Sequence, residues 1–393
     1  MASDEEDDFF IKSIKSLVSN FYIYKPRRTI IGKLSYLKNY YTCKHYQVNI
    51  AKYLSENSPD LIVLPNNKIF RNRFISKYAA LNNILTMVLQ DTLNPGGFGN
   101  LKSYTKSFRR NNLLHKCVDF LFNSIGIVHI VGIRALFKYN KGHHAIDCIA
   151  VWGDASKSIA ISNKYTSKQI SVTGQPRFDE VVIKNWDQST KKICDDLDVK
   201  IKHKNIIFLP TKGITSEYFA TRDEQIKIYT EMIESIEKIG KHVNVSIDLI
   251  IKLHRNECLD VFHNILPAKL LKNIILVQNT PLYPLLNLCD LAITTASTAG
   301  LEALLFDKPL ITINFSGRPD FYNYSASGSA IGVNQTKDLF RAINDTLFNQ
   351  VVRDNLFEKR KKYVVEETYL RDGKAAERSV ELIKQILSVH STD

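Results

Sequence analysis

The chain has 393 residues, 44% of them apolar and 24% charged, with 53 Lys and Arg against 40 Asp and Glu. That balance excludes a disordered, collagen-like or disulfide-stapled polypeptide and predicts two or three domains with real cores. The net charge of +13 favours partners that carry phosphate, although a composition rich in Lys, Asn and Ile accounts for part of it without any function.

No uninterrupted apolar run reaches the roughly 18 residues that span a bilayer. The acidic start, Met1-Ala2-Ser3-Asp4-Glu5-Glu6-Asp7-Asp8, has no apolar region after it and does not read as a secretory signal. The cysteines (Cys43, Cys117, Cys148, Cys194, Cys258, Cys289) include no C-x-x-C pair, which predicts reduced, buried thiols, no zinc site and a cytoplasmic protein.

Short apolar strands alternate with amphipathic helical stretches, the pattern of parallel α/β architecture. Residues 11–60 read as helices rich in Tyr and Lys. Leu61-Ile62-Val63-Leu64 is a strand stopped by Pro65, and residues 71–83 follow as a helix with a basic face (Arg71, Arg73, Lys77). Leu85 to Leu89 is the next strand, with Gln90-Asp91 at its C-terminal end. A basic stretch from Lys102 to Lys141 contains Arg109-Arg110 and His115. Strands return at Asp147–Gly153 and Gln169–Gly174, the latter ending in the turn Gly174-Gln175-Pro176-Arg177. From about Ile183 to Lys204 the sequence is charged and reads as a connector.

The second half has clearer punctuation. Asn205 to Pro210 is a strand followed by the loop Thr211-Lys212-Gly213, and a long helix covers about 222–240. Ser246 to Leu253 ends at His254-Arg255-Asn256-Glu257. A strand from Asn273 to Val277 precedes a short helix from Pro281. Asp290 to Thr294 leads into Thr295-Ala296-Ser297-Thr298-Ala299-Gly300 and a helix carrying Glu302. Lys308 to Ile313 is the last clear strand, and helices from about 335 to 388 close the chain. The expected domains are residues 1–185, a connector at 186–204, residues 205–370, and a C-terminal helix over 371–393. Such a pair of parallel domains places a cleft between two sets of strand C-termini, where ligands of these sheets bind.

The segment from Asp290 to Pro309 carries the strongest chemical signal. Small hydroxyl and Gly residues at a strand-to-helix turn let a phosphate approach the backbone, and free amides with the helix dipole hold it. Ser297 or Thr298 would add a hydroxyl hydrogen bond. Glu302 shares a helix face with Thr298 and can accept two hydrogen bonds from a ribose diol. A Ser/Thr N-cap with a solvated Glu302 explains the same residues without a ligand.

Other candidates are weaker. His254 ends a strand and could donate to a departing diphosphate, or simply be satisfied by backbone. Thr211-Lys212-Gly213 and Arg177 could reach the same anion or serve only as turns. Asp91 is the candidate general base for an acceptor hydroxyl, with a turn aspartate as the plain alternative. Pro95 to Asn100 is a Gly-rich loop, and His143-His144 could supply a second base. The one D-x-D, Asp196-Leu197-Asp198, lies in the connector, and there is no H-E-x-x-H or G-x-S-x-G, so neither a metal nor a Ser nucleophile is expected.

Thr173-Gly174-Gln175-Pro176-Arg177-Phe178-Asp179 resembles the G-x-P-R-x-D turn of the CDP-glycerol glycerophosphotransferases, a family that includes teichoic-acid and capsular polysaccharide polymerases. Lys252-Leu253-His254-Arg255 resembles that family's K-L-H-P element, and Thr294 to Pro309 its T-D-Y-S-S-x-x-x-E-A-L-x-x-x-K-P signature, with Thr295-Ala296 where the family has Asp-Tyr. With Asp372 to Arg378, similar elements fall in the same order over about residues 147–378. The resemblance implies a GT-B fold, with two Rossmann-like domains whose parallel sheets face a cleft. It further implies a donor held mainly by the second domain and a C-terminal helix returning to the first.

The function it implies is transfer of a glycosyl or glycerol-phosphate group from a CDP-, CMP- or UDP-linked donor to a hydroxyl of a cell-surface glycan or its lipid-linked precursor. No metal or cofactor is needed, since the nucleotide donor is a substrate. A lipid-linked acceptor would bring the protein to the inner face of the cell membrane, with basic helices such as 102–116 against anionic lipid. His254-Arg255-Asn256 and Ser-x-x-Gly-x-Glu also resemble UDP-N-acetylglucosamine 2-epimerases, which makes a UDP-sugar epimerase the alternative. A basic nucleic-acid-binding protein ranks third, because no helix-turn-helix, zinc finger or RNP motif is present and no nucleic acid is expected as partner.

Overall fold

The computed structural model describes residues 48–65, 70–91, 146–200, 203–209, 222–253, 274–295, 297–315, 320 and 322–390. Contacts divide the chain into two compact units, residues 1–177 with 374–393, and residues 178–373.

In the first unit a helix at 48–57 precedes β1 (Leu61–Leu64), α1 (Phe70–Leu81), β2 (Leu85–Leu89), β3 (Cys148–Val151), α2 (Asp154–Ser162) and β4 (Ile170–Val172). The strands form a parallel sheet in the order β1-β2-β3-β4, as their apolar runs predict. Alternation along each strand sorts the two faces. Val88, Ile149 and Val151 pack with Ala160 and Tyr165 on one face. Met87, Leu89, Cys148 and Ala150 meet Val380 and Ile383 of α10 (Ala375–His390) on the other. The last helix of the chain therefore covers a face of the first sheet.

A short turn of helix at Pro176–Phe178 crosses into the second unit, which opens with α3 (Asp179–Ile183) and α4 (Asp187–Leu197). Then come β5 (Lys204–Leu209), α5 (Arg222–Val243), β6 (Ile247–Lys252), β7 (Ile275–Val277), α6 (Leu282–Leu288), β8 (Leu291–Thr294), α7 (Ala299–Leu305), β9 (Leu310–Ile313) and β10 (Ile331–Val333). Helices α8 (Leu339–Phe348) and α9 (Gln350–Thr368) complete it. Its six described strands are all parallel, in the order β10-β9-β8-β5-β6-β7. Numbered from β5, that is 3-2-1-4-5-6 reversed, the doubly wound Rossmann order. Helix α5 buries Tyr229, Met232, Ile233, Ile236 and Ile239, a stripe at helical spacing, against Phe208, Leu249 and Ile251.

Two expectations are corrected. The stretch read as a connector, 186–204, belongs to the second unit. There α4 buries Thr190, Ile193 and Cys194, and the Thr190 hydroxyl donates to the Pro284 carbonyl at 3.2 Å and accepts from the Asn287 amide at 3.0 Å. The charges that suggested a linker lie on its exposed side, Lys191, Lys192, Asp195 and Asp196. The strand after Ile313 was not anticipated, because Ile-Gly-Val is too short to stand out. The unit boundaries fall at Arg177/Phe178 and Gly373/Lys374. Gly373 has φ +71, and a Cβ there would lie 2.8 Å from Cγ1 of Ile183, so both conformation and space require glycine.

Burial pushes the Cys148 thiol up to about 11 and that of Cys289 up to about 12, as expected for inert core cysteines. Among the described residues no helix is long and apolar enough to cross a membrane, and no group of His, Cys, Asp and Glu could hold a metal ion.

Candidate functional site

In a doubly wound sheet the ligand crevice opens where strand order reverses, outside the strand C-termini. In the second unit that point lies between β5 and β8. Their ends are in register, Leu209 opposite Thr294, and the buried Thr294 hydroxyl donates to the Leu209 carbonyl at 2.8 Å. This bond ties the two strand ends where their loops diverge. The loop after β8 carries Ser297 and Thr298 and enters α7, which holds Gly300 and Glu302. Sequence reading and topology thus converge on one turn.

The turn bonds within itself. The Ala299 amide donates to Ser297 Oγ at 3.2 Å and the Gly300 amide to the Ser297 carbonyl at 3.2 Å. The amides of Leu301 and Glu302 both donate to the Thr298 carbonyl, at 3.0 and 3.3 Å. Backbone donors from Ala299 to Glu302 are engaged inside the turn, which puts weight on the side chains it presents. Ser297 accepts through its oxygen and keeps its hydroxyl proton for donation. Ser297 and Thr298 are half-buried.

Helix α7 reads Ala-Gly-Leu-Glu-Ala-Leu-Leu, and from Gly300 to Leu305 every residue is buried. Glu302, expected in solvent on the plain reading, is 6% exposed. The Tyr283 hydroxyl of α6 lies 3.5 Å from its Oε1. Tyr283 is itself fixed between Trp186 and Phe306, with ring centroids at 5.4 and 5.3 Å. An acid buried in an otherwise apolar helix costs stability unless it is paired or used.

A second layer supports the turn from behind. Tyr324, 1% exposed, donates its hydroxyl to the Ser297 carbonyl at 2.9 Å. A Cβ on Gly300 would lie 2.8 Å from Tyr324 Cε2, so ring and helix backbone are in closest approach. Tyr324 stacks on Tyr322 and tilts against Tyr363 of α9, whose hydroxyl donates to the Tyr322 carbonyl at 2.6 Å. At the far end of α7, Asp307 adopts φ +59 and is held from two sides. The buried Arg360 donates to its carbonyl at 2.6 Å, and Arg371 grips its carboxylate at 3.0 to 3.2 Å.

Burial, reinforced by the neighbouring Glu366, pushes the Glu367 carboxyl up to about 7 from its ordinary 4.5. The folded protein therefore holds a proton there that the unfolded chain releases above about pH 4.5. Stability is fully expressed below that pH and falls as pH rises through about 7. We expect a loss of roughly 2 kcal/mol over that window after solvent screening. Urea unfolding at stepped pH would show the slope, and Glu367→Gln would flatten it.

In the first unit, the C-terminal ends of β2, β3 and β4 are joined through Gln90. Its side chain accepts from the Trp152 amide at 3.0 Å and donates to Ser156 Oγ at 3.0 Å. Its carbonyl accepts from Trp152 Nε1 at 2.6 Å and from Gln175 Nε2 at 3.1 Å. Arg378 of α10 adds a bond to the Thr173 carbonyl at 2.8 Å. Asp91 follows Gln90 directly and is half-buried, and Arg177 stands at the end of the Gly174-Gln175-Pro176 turn, where Gly174 has φ +81.

Thr211, Lys212, Gly213 and His254 lie outside the described residues, as do Pro95 to Asn100, His143-His144 and the basic stretch 102–141. Asp196 and Asp198 are exposed on and just after α4. Sequence reasoning missed Tyr283, Tyr324 and Gln90. Nothing adjacent in the sequence marks the contacts that Tyr283 and Tyr324 make with this turn.

The fold is of the GT-B type. A UDP-GlcNAc 2-epimerase from Neisseria meningitidis, solved with UDP-GlcNAc bound, superposes with a TM-score of 0.58 at 15% identity, covering 96% of this chain and 89% of that one. A UDP-GlcNAc 2-epimerase from Methanocaldococcus jannaschii gives 0.55 at 15% identity, covering 97% and 90%. A glycosyltransferase from Rickettsia africae gives 0.50 at 13% identity, covering 92% and 84%. No curated protein sequence matches the chain.

Two Rossmann-like units of this kind, with the Ser297–Glu302 turn at the switch point of the second, define the GT-B class of fold. The family follows from the match of residues 138–385 to the model for CDP-glycerol:poly(glycerophosphate) glycerophosphotransferases: the chain belongs to that family.

Proposed function

We propose that the protein transfers glycerol phosphate, or a related glycosyl group, from a nucleotide-activated donor to a hydroxyl of a cell-surface glycan or its lipid-linked precursor. CDP-glycerol, the donor in the family's name, is the first choice. The observation that carries this reading is Glu302, the one charged residue of α7, buried at the switch point of a Rossmann sheet. In the proposed complex Glu302 accepts two hydrogen bonds from the ribose diol, while the hydroxyls of Ser297 and Thr298 donate to phosphate. Thr211, Lys212, Gly213, His254 and Arg177 are proposed to complete the anion site, and Asp91 to take the acceptor proton.

For glycerol-phosphate transfer, the acceptor oxygen attacks the β-phosphorus of CDP-glycerol, the P–O–P bond breaks, and CMP departs with the bridging oxygen. Neutralisation of the leaving phosphate falls to hydroxyl and cationic side chains acting through positioning and charge. A lipid-linked acceptor would set the reaction at the inner face of the membrane.

The epimerase reading is favoured by the solved neighbours that bind UDP-GlcNAc. The identity of the released nucleotide separates the possibilities. With CDP-glycerol and a poly(glycerophosphate) primer we expect CMP in step with polymer growth. Release of a nucleoside diphosphate from a sugar donor would mean glycosyl transfer. A new epimer from UDP-GlcNAc alone, with no acceptor-dependent release from any donor, would refute the transferase.

A further inference from the structure

We propose that Tyr324 is the positioning residue of the nucleotide turn, setting the placement of Ser297 relative to Glu302. The inference rests on the reading of that turn as the donor site. Two independent contacts carry it. The Tyr324 hydroxyl donates to the Ser297 carbonyl at 2.9 Å, so the residue whose side chain faces the ligand is anchored through its own backbone. The Tyr324 ring edge lies where a Cβ of Gly300 would be, 2.8 Å from Cε2 and 2.9 Å from Cζ, so the ring sets how deep α7 sits. One side chain thereby fixes both ends of the segment that must span phosphate and ribose.

Tyr324 is itself held by its neighbours. Its carbonyl accepts the Ala330 amide and the Ser327 and Ser329 hydroxyls, each at 3.0 Å. Asp320 closes the start of the same loop, taking the Tyr322 amide at 3.1 Å and the Ser325 amide at 3.3 Å. The described residues Asp320 and Tyr322 to Ala330 thus bond among themselves, and the Tyr324 phenol carries a hydrogen bond across to the β8 turn. Burial holds that phenol well above its usual pKa, so it remains a donor.

The test compares two tyrosine-to-phenylalanine variants of the full chain, each losing a single hydroxyl-to-carbonyl bond from the same aromatic cluster. Tyr324→Phe releases the Ser297 carbonyl; Tyr363→Phe releases the Tyr322 carbonyl, which does not touch the turn. Affinity for CDP is measured by calorimetric titration, alongside the melting temperature and the KM for donor against kcat. We expect Tyr324→Phe to weaken CDP three- to tenfold, the range of one ordinary hydrogen bond, and to raise KM more than it lowers kcat. Tyr363→Phe should lower the melting temperature by a similar amount and leave CDP affinity unchanged. Equal weakening in both variants, or none in Tyr324→Phe, overturns the proposal. Unchanged CDP affinity in Ser297→Ala and Glu302→Ala would instead remove the donor-site reading itself.

Discussion

Glu302→Ala abolishes the thermal shift given by CDP and weakens CDP binding about 10- to 150-fold. That range is the worth of hydrogen bonds to a charged acceptor, roughly 1.5–3 kcal/mol. The expectation follows from position and environment together. Glu302 is 6% exposed in a helix whose other buried residues are Gly300, Leu301, Ala303, Leu304 and Leu305. Removing a buried carboxylate that served only the fold would cost up to about 3–5 kcal/mol of stability and leave nucleotide binding unchanged. The Tyr283 hydroxyl already lies against Glu302, so some loss of stability is expected as well, and a loss of CDP affinity in protein that is still folded marks the ligand-holding role. Titration and melting curves of the same samples measure both. A variant that is strongly destabilised yet binds CDP normally would make Glu302 a structural acid.

The second large effect is expected in the other unit. Gln90→Ala should destabilise the protein by about 3 kcal/mol. It strands the buried Trp152 amide and deprives Ser156 Oγ of its donor, each loss being worth about 1–3 kcal/mol, and it leaves a small cavity. Ser156→Ala, which removes only the second bond, should cost about 1 kcal/mol. Chemical denaturation of both variants gives the difference. Because Asp91 is the next residue, Gln90→Ala should also lower transfer rate at temperatures where it is still folded. An Ala variant as stable as wild type would mean that the Gln90 network does not hold the three strand ends.

What could be read from the sequence followed from how locally each feature is encoded. Strands β5, β8 and β9 are buried on both faces and therefore appear as unbroken apolar runs, and the small-residue turn after β8 sits at the one place where such a sheet binds ligands. Helix α4 was misread because its charges dominate the composition, although Thr190, Ile193 and Cys194 keep helical spacing. β10 escaped notice because an edge strand of Ile-Gly-Val carries little pattern. That the amides of residues 299–302 bond to Ser297 and Thr298 was not legible, because residue types do not dictate such local geometry. Tyr283 and Tyr324 were invisible for a different reason. Each meets the site from another element, 19 residues before Glu302 and 27 after Ser297, and nothing in a tyrosine's immediate neighbours announces that contact.

The central claim is that the Ser297–Glu302 turn grips the nucleotide. Its most direct measurement is a crystal structure of the full chain with CDP bound. The account predicts both ribose hydroxyls within about 3 Å of the Glu302 carboxylate and the pyrophosphate beside the Ser297 and Thr298 hydroxyls. CDP bound at any other part of the molecule, with Glu302 still covered by Tyr283 and out of its reach, would contradict it.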